Sequence, residues 1–178
     1  MDYPAHLTEH LTLEDGRMVT IRAVRPDDEA LTQAFVRALS DESRYHRFLV
    51  GLRELPPKLL TRMTAVDYVS HLALVAEAQV YGRQVQVGEA RFVVDPDRPG
   101  SAEFAIAVAD DWRHSGIGSR LLRSLERASR EGGITMLTGD VLAVNARALE
   151  FMRERGFASR VNREEPRLMR VDKALASP

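Results

Sequence analysis

Hydrophobic and polar positions change period along this chain, and the changes divide it into elements. From His10 to Val24 apolar and polar residues alternate on either side of Asp15-Gly16, the pattern of two strands joined by a tight turn. Pro26-Asp27-Asp28-Glu29 places proline and acids where a helix begins, and Ala30–Leu39 follows with helical spacing. Ser40–Phe48 predicts a second helix and Pro56–Met63 a short third. His71–Gln79 and Val85–Val94 read as strands joined through Tyr81-Gly82-Arg83, and Ala102–Val108 as another after the turn residues Asp95–Gly100. At Ile117 the period becomes helical. Ile117, Leu121, Leu122, Leu125 and Ala128 form one face, with Arg120, Arg123, Arg127 and Arg130 opposite, and Gly132-Gly133 ends the run. Thr135–Val141 predicts a strand, and Asn145 caps a helix to Arg155 with Gly156 just beyond. Ala158–Asn162 and Arg167–Val171 read as closing strands. Hairpins in the first half and strand–helix alternation in the second predict an α/β (α+β) fold around a mixed sheet, in one domain over 1–178.

Composition narrows the function classes. The 178 residues carry 25 Lys+Arg against 26 Asp+Glu, a formal charge of −1, which argues against a nucleic-acid binder and against an acidic disordered chain. There is no Cys, so disulfides, Cys-ligated zinc, iron–sulfur clusters and thiol nucleophiles are excluded. His6, His10 and His46 lack metal-site spacing, and no metal is expected. No apolar run reaches the roughly 18 residues of a membrane helix, and the N-terminus lacks a signal pattern; a soluble cytoplasmic protein is expected, without a membrane partner. The cations are 23 Arg and only 2 Lys, Lys58 and Lys173. Guanidinium forks suit phosphates.

Positive charge gathers where glycines recur. Arg113-His114-Ser115-Gly116-Ile117-Gly118-Ser119 follows a predicted strand and opens the amphipathic helix. Between Arg113 and Arg130 stand five Arg and one Glu, a local +4 with His114 left uncounted. Glycines let the backbone turn and approach a ligand, the first N–H groups of a helix lack partners, and its dipole favours an anion. A phosphate or pyrophosphate is the natural guest, although a lone Gly-x-Gly also serves as a plain turn. The Walker pattern fails for want of a Gly-Lys pair, and the dinucleotide fingerprint fails because Leu121 stands where its third glycine belongs.

Arg-x-x-Gly-x-Gly, between the strand Phe104–Val108 and a long amphipathic helix, resembles the acetyl-coenzyme A motif of the GNAT acyltransferases. Downstream, Asn145, Ala148, Phe151 and Gly156-Phe157 continue that family's pattern, so the similarity covers Glu89–Phe157. Upstream, Ser40–Phe48, Leu55-Pro56-Pro57, Asp67-Tyr68 and Leu72–Ala76 look like the acetyltransferase domain of bacterial protein lysine acetyltransferases, which is often fused to larger modules that do not fit in this chain. The resemblance implies a mostly antiparallel mixed sheet flanked by helices, with acetyl-CoA in a splay between the strands ending near Val108 and Val141. It also implies transfer of an acetyl group from acetyl-CoA to a primary amine, a protein lysine, by direct attack in a ternary complex. A small-molecule amine, or a non-catalytic acyl-CoA sensor, is the alternative. Monomer and homodimer both stay open.

The same resemblance assigns roles. Main chain at Ile106 and Val108 would hold the pantetheine arm; Arg113, His114, Ser115, Gly116, Ile117, Gly118 and Ser119 would form the phosphate loop; Asn145 and Phe151 would lie beside the cofactor. Glu103, at the start of the strand, is the expected base. It breaks an otherwise apolar run, and a carboxylate beside a buried strand has a raised pKa. Glu89 is the runner-up. Phe151 departs from the Tyr that many relatives use as an acid, which leaves an unassisted thiolate, water, Tyr45 or Tyr68. His71 is expected to be structural rather than substrate-lining, and Trp112 to pack beneath the loop.

Overall fold

The computed structural model describes residues 2–176. Strands β1 (Glu9–Thr12) and β2 (Met18–Ala23) form the first hairpin; β3 (His71–Val80) and β4 (Arg83–Val94) form the second. Tyr81 and Gly82 take φ of 50° and 75°, the paired left-handed conformation that a two-residue hairpin turn requires. The sheet continues with β5 (Ser101–Val108), β6 (Met136–Leu142), β7 (Ala158–Val161) and β8 (Leu168–Ala174). Eight strands run in the order β1-β2-β3-β4-β5-β6-β8-β7, and every pairing is antiparallel except β5 with β6. The expected mixed, mostly antiparallel sheet is therefore present. Strand β8 runs three residues beyond the expected Val171, because Asp172, Lys173 and Ala174 pair with Thr138, Leu137 and Met136. A 3-10 turn at Ala5–Leu7 was not anticipated.

Helices cover the two faces unequally. On one face, α4 (Ile117–Glu131) and α5 (Ala146–Glu154) pack Ile117, Leu121, Leu122, Leu125 and Met152 on Ala90, Phe92, Phe104, Leu137 and Val171. Gly88 lets α4 come close, since a Cβ there would stand 2.9 Å from Leu121 Cδ1. On the other face, α1 (Glu29–Ala38), α2 (Asp41–Phe48) and α3 (Pro57–Thr64) gather Phe35, Val36, Leu39, Leu55 and Met63 over Ala107 and Ala109. Helices α1 and α2 lie over β4 and β5, and their main contacts do not extend to β6, β8 or β7.

Two buried ionic clusters stitch the second layer down. Arg22 Nη1 donates to Asp28 at 2.7 Å and its Nη2 to Glu77 at 2.7 Å, tying β2 to the start of α1 and to β3. Arg47 Nε donates to Glu89 Oε1 at 2.7 Å and Arg91 Nη2 to Glu89 Oε2 at 2.8 Å, which fastens α2 to β4.

Candidate active site

The site begins where two strands part. β5 and β6 pair only from Ser101↔Met136 to Glu103↔Thr138, after which they diverge. β6 goes on pairing with β8 as far as Leu142, so its other edge is left free. Gly139 passes Phe104 at the fork; a Cβ there would lie 2.9 Å from the Phe104 ring and 3.2 Å from its carbonyl oxygen. Within the fork, Phe104–Val108 on one side and Gly139–Val141 on the other line a cleft of about 890 Å³.

The polarity of the fork follows from register. Ala109 N–H donates to Val87 O at 2.9 Å and Asp95 N–H to Ser101 O at 2.9 Å, so odd-numbered residues of β5 bond to β4. Antiparallel ladders alternate, and the N–H and C=O groups of Phe104, Ile106 and Val108 therefore face the fork. Ile106 and Val108 stand on it, presenting main-chain donors and acceptors to the cleft.

At the end of β5, a short turn (Asp110–Trp112) leads into the glycine loop. His114 and Gly116 take positive φ, 60° and 86°, and α4 starts at Ile117 without a side-chain cap. Among the described residues, the N–H groups from His114 to Ser119 donate to no protein acceptor. Six successive free donors at the positive end of a 15-residue helix form a cradle for an anion. Ser115 is not part of the cleft wall; its hydroxyl donates to Trp112 O at 2.5 Å. Trp112 borders the cleft and carries the Arg17 guanidinium 3.9 Å above its ring.

The Arg113 guanidinium borders the cleft. Its Nη2 pairs with Asp110 at 2.9 Å and donates to Ser43 Oγ. Its side chain ties the loop to α2. Arg155 stands on the opposite wall, stacked 3.7 Å from the Phe151 ring centroid and donating to Ser119 Oγ at 2.5 Å and Phe151 O at 2.9 Å. The sequence offered a signal for it: Arg155 follows Phe151 by four residues, one helical turn. Asn145 Oδ1 accepts from Ala148 N–H at 3.1 Å, so it caps α5 while bordering the cleft. Phe151 and its neighbour Met152 line the cleft, and neither carries a transferable proton. Tyr68 donates to Val24 O at 2.9 Å and packs on the main core, outside the cleft. Tyr45 accepts from Arg167 Nη1 at 3.1 Å.

The two carboxylates differ sharply. Glu89 is fully buried, and burial alone would raise its pKa; the charges of Arg47 and Arg91, with their hydrogen bonds, overcome this and hold it at about 2. It is a structural anion. His71 lies beside this cluster with Nε2 3.2 Å from Arg91 Nη1, and burial followed by the Arg91 charge lowers its pKa to about 4. Glu103 is exposed, so the apolar surroundings expected for it are absent. It does not line the cleft. Its register partner Thr138 makes it the last paired residue before the fork, on the strand face shared with Ala105 and Ala107, which do line it. Glu42, His46 and Arg47 of α2 close that side and were not anticipated.

These features can be set beside known proteins. A profile described as the Acetyltransferase (GNAT) family matches residues 32–157. The chain belongs to this family. It is 32% identical over 126 residues to Acetyltransferase PA5475 of Pseudomonas aeruginosa, covering 71% of this chain and 67% of that protein. It is 31% identical over 130 residues to Acetyltransferase Pat of Mycolicibacterium smegmatis, covering 73% of this chain and 38% of that longer protein. The GNAT domain of S. lividans PAT superposes with a TM-score of 0.88 at 26% identity, covering 98% of this chain and 100% of that one. The yncA protein of Salmonella typhimurium, solved with its cofactor acetyl-CoA, shares this fold with a TM-score of 0.69 at 17% identity, covering 90% of this chain and 95% of that one. The donors here fit acetyl-CoA: free amides for its phosphates at His114–Ser119 and free main chain along β5 for its amide-bearing arm. No group of three or more potential metal ligands occurs among the described residues, and no helix is long and apolar enough to cross a membrane.

Proposed function

We propose that this protein moves the acetyl group of acetyl-CoA directly to a protein lysine, with both substrates bound at once. The observation that carries the reading is the fork, which opens a polar main-chain edge between the cofactor loop on one face of the sheet and α2 on the other. The lysine acceptor is supported by the PAT relatives and by the resemblance of Ser40–Phe48 to protein lysine acetyltransferases. Acetyl-CoA supplies a thioester when bound.

A lysine amine, with pKa of about 10.4, arrives protonated and must lose that proton to become a nucleophile. Glu103 accepts it, directly or through one water, at the apex of the fork. The amine nitrogen then bonds to the carbonyl carbon, the carbon–sulfur bond breaks, sulfur leaves with the electron pair, and the nitrogen releases its extra proton to solvent to give the amide. Free N–H groups on β5 serve as donors to the carbonyl oxygen. Phe151 and Met152 offer the sulfur no proton. A thiol pKa of about 8.5 makes the thiolate an acceptable leaving group, and solvent protonates it afterwards. Without Cys in the chain, no acetyl-cysteine relay competes with direct attack.

Glu103→Gln tests the assignment. CoA release with a lysine acceptor should fall at least about 100-fold, the scale of general-base catalysis, while calorimetric affinity for acetyl-CoA holds. Unchanged turnover at saturating amine removes Glu103 from the mechanism. A parallel panel of peptides, proteins and small amines identifies the acceptor class, and CoA release with small amines alone overturns the lysine reading.

A further inference from the structure

The sheet face that carries Glu103 leads to a second recess. Register partners share a face, so Glu103, Thr138 and Asp172 form one row across β5, β6 and β8, and Asp140, Arg170 and Arg160 form the next across β6, β8 and β7. This is the part of the sheet, beyond β5, to which the main contacts of α1–α3 do not extend. At its far end Arg160 and Arg170, Arg98 from the β4–β5 turn and Arg163 from the β7–β8 loop line a polar recess of about 310 Å³, together with Asp95 and Glu164. Four guanidiniums face two carboxylates there. Their commitments differ. Arg170 is held by Asp140 at 2.8 and 2.9 Å, and Arg160 by Asp172. Arg98 reaches Asp95 only at 3.8 Å, and Arg163 forms no ion pair among the described residues. The recess thus holds uncommitted positive charge on two segments that meet across an open groove.

We infer that this recess is an acceptor subsite that binds carboxylate side chains two or three residues from the lysine being acetylated. The inference rests on the lysine-transfer reading and specifies its substrate. The dimensions agree. β8 lies two strand spacings from β5, about 10 Å across the sheet, and an extended peptide advances about 3.3 Å per residue. Arg170 of β8 lines the recess, so a lysine whose amine meets Glu103 can place a residue two or three positions away at the edge of the recess.

The test uses three peptides with one lysine each, identical except for Glu, Gln or Arg at the second and third positions on either side. Binding is read by fluorescence anisotropy with CoA present, and transfer by CoA release. The Glu peptide should bind at least about fivefold more tightly than the Gln peptide, the scale of one to two exposed ion pairs. Arg98→Ala with Arg163→Ala should erase that preference, and Arg163→Glu should shift it toward the Arg peptide. Equal binding of the Glu and Gln peptides by the natural protein, or a preference that survives the double substitution, overturns the subsite. The two readings fail separately: acetylation of all three peptides at one rate with equal binding sinks the subsite alone, whereas selective binding without transfer sinks lysine acetylation alone.

Discussion

Replacing Glu89 by Gln separates a structural carboxylate from a catalytic one. Its two oxygens accept from Arg47 at 2.7 Å and Arg91 at 2.8 Å, and it is 0% exposed. Gln keeps the shape and one acceptor oxygen but brings an NH2 group against a guanidinium donor, and it leaves the buried Arg91 and the half-buried Arg47 without their counter-ion. Breaking such a pair from one side costs about 3–5 kcal/mol. At about 2–4 °C per kcal/mol for a chain of this size, the melting temperature should fall by about 6–20 °C. Calorimetric and urea unfolding of the two proteins measure it, and CoA release below the variant's melting temperature is the companion assay. Turnover per folded molecule should fall less than tenfold, since an anion held at about 2 between two arginines is a poor base at neutral pH. Its folded pKa is depressed, so its contribution is full above the unfolded value near 4.5 and is lost as pH falls toward 2. A variant that melts with the natural protein yet loses 100-fold in turnover would refute this reasoning and return Glu89 to the reaction.

Gly116→Asp sets a Cβ at φ 86° and a negative charge among six free amides; acetyl-CoA affinity by calorimetry should fall more than about 100-fold in a folded variant, and normal affinity would remove the loop from phosphate binding. His71 titrates near 6.5 when unfolded and near 4 when folded, so the unfolded chain gains the proton first and stability declines as pH drops from about 6.5 to about 4. His71→Gln should flatten that decline by about 1–2 kcal/mol, allowing for solvent screening, and unfolding curves that keep the same pH slope would show that another group drives it.

The parts legible in the sequence are those decided locally. The Asp15-Gly16 turn, the Ser40 and Asn145 caps and the amphipathic run from Ile117 all depend on neighbours within a few residues, and the observed helices and strands begin and end close to those marks. The glycine loop was legible for the same reason. Side-chain partnerships were not. Arg113 reads as a phosphate fork, and its Nη2 also donates to Ser43, which lies 70 positions earlier. Glu89 reads as a titratable strand residue, but Arg47 is 42 positions away and arrives only when α2 lies on β4. The fork has no local signature: β5 and β6 are separated by a helix, and the splay between the strands ending near Val108 and Val141 follows from the family resemblance and not from any run of neighbouring residues.

Those long-range pairs also account for part of the arginine excess. α2 is a short helix, Asp-Glu-Ser-Arg-Tyr-His-Arg-Phe, whose buried residues are Ser43 and Arg44. Eight residues with so little apolar surface are unstable alone, yet this helix walls the acceptor side of the cleft. Charge and hydrogen bonds pin it instead. At its start Asp110 accepts from Ser40 N–H at 3.0 Å and from Ser43 Oγ at 2.7 Å, and also holds Arg113. In its middle Arg44 Nη1 donates to Leu39 O at 2.6 Å and to Val36 O and Arg37 O at 3.2 Å, satisfying carbonyls that the end of α1 leaves open. Near its end Arg47 binds Glu89. Arg22, which joins Asp28 and Glu77, and Arg91, which joins Glu89 and Met63 O, are bridges of the same kind. Each needs several donors fanned in one plane and a charge that survives burial, and a guanidinium meets both conditions where an ammonium point charge does not. A wall that must stay polar toward the acceptor while resting on an apolar layer has few other ways to be held, and arginine is the residue that holds it here.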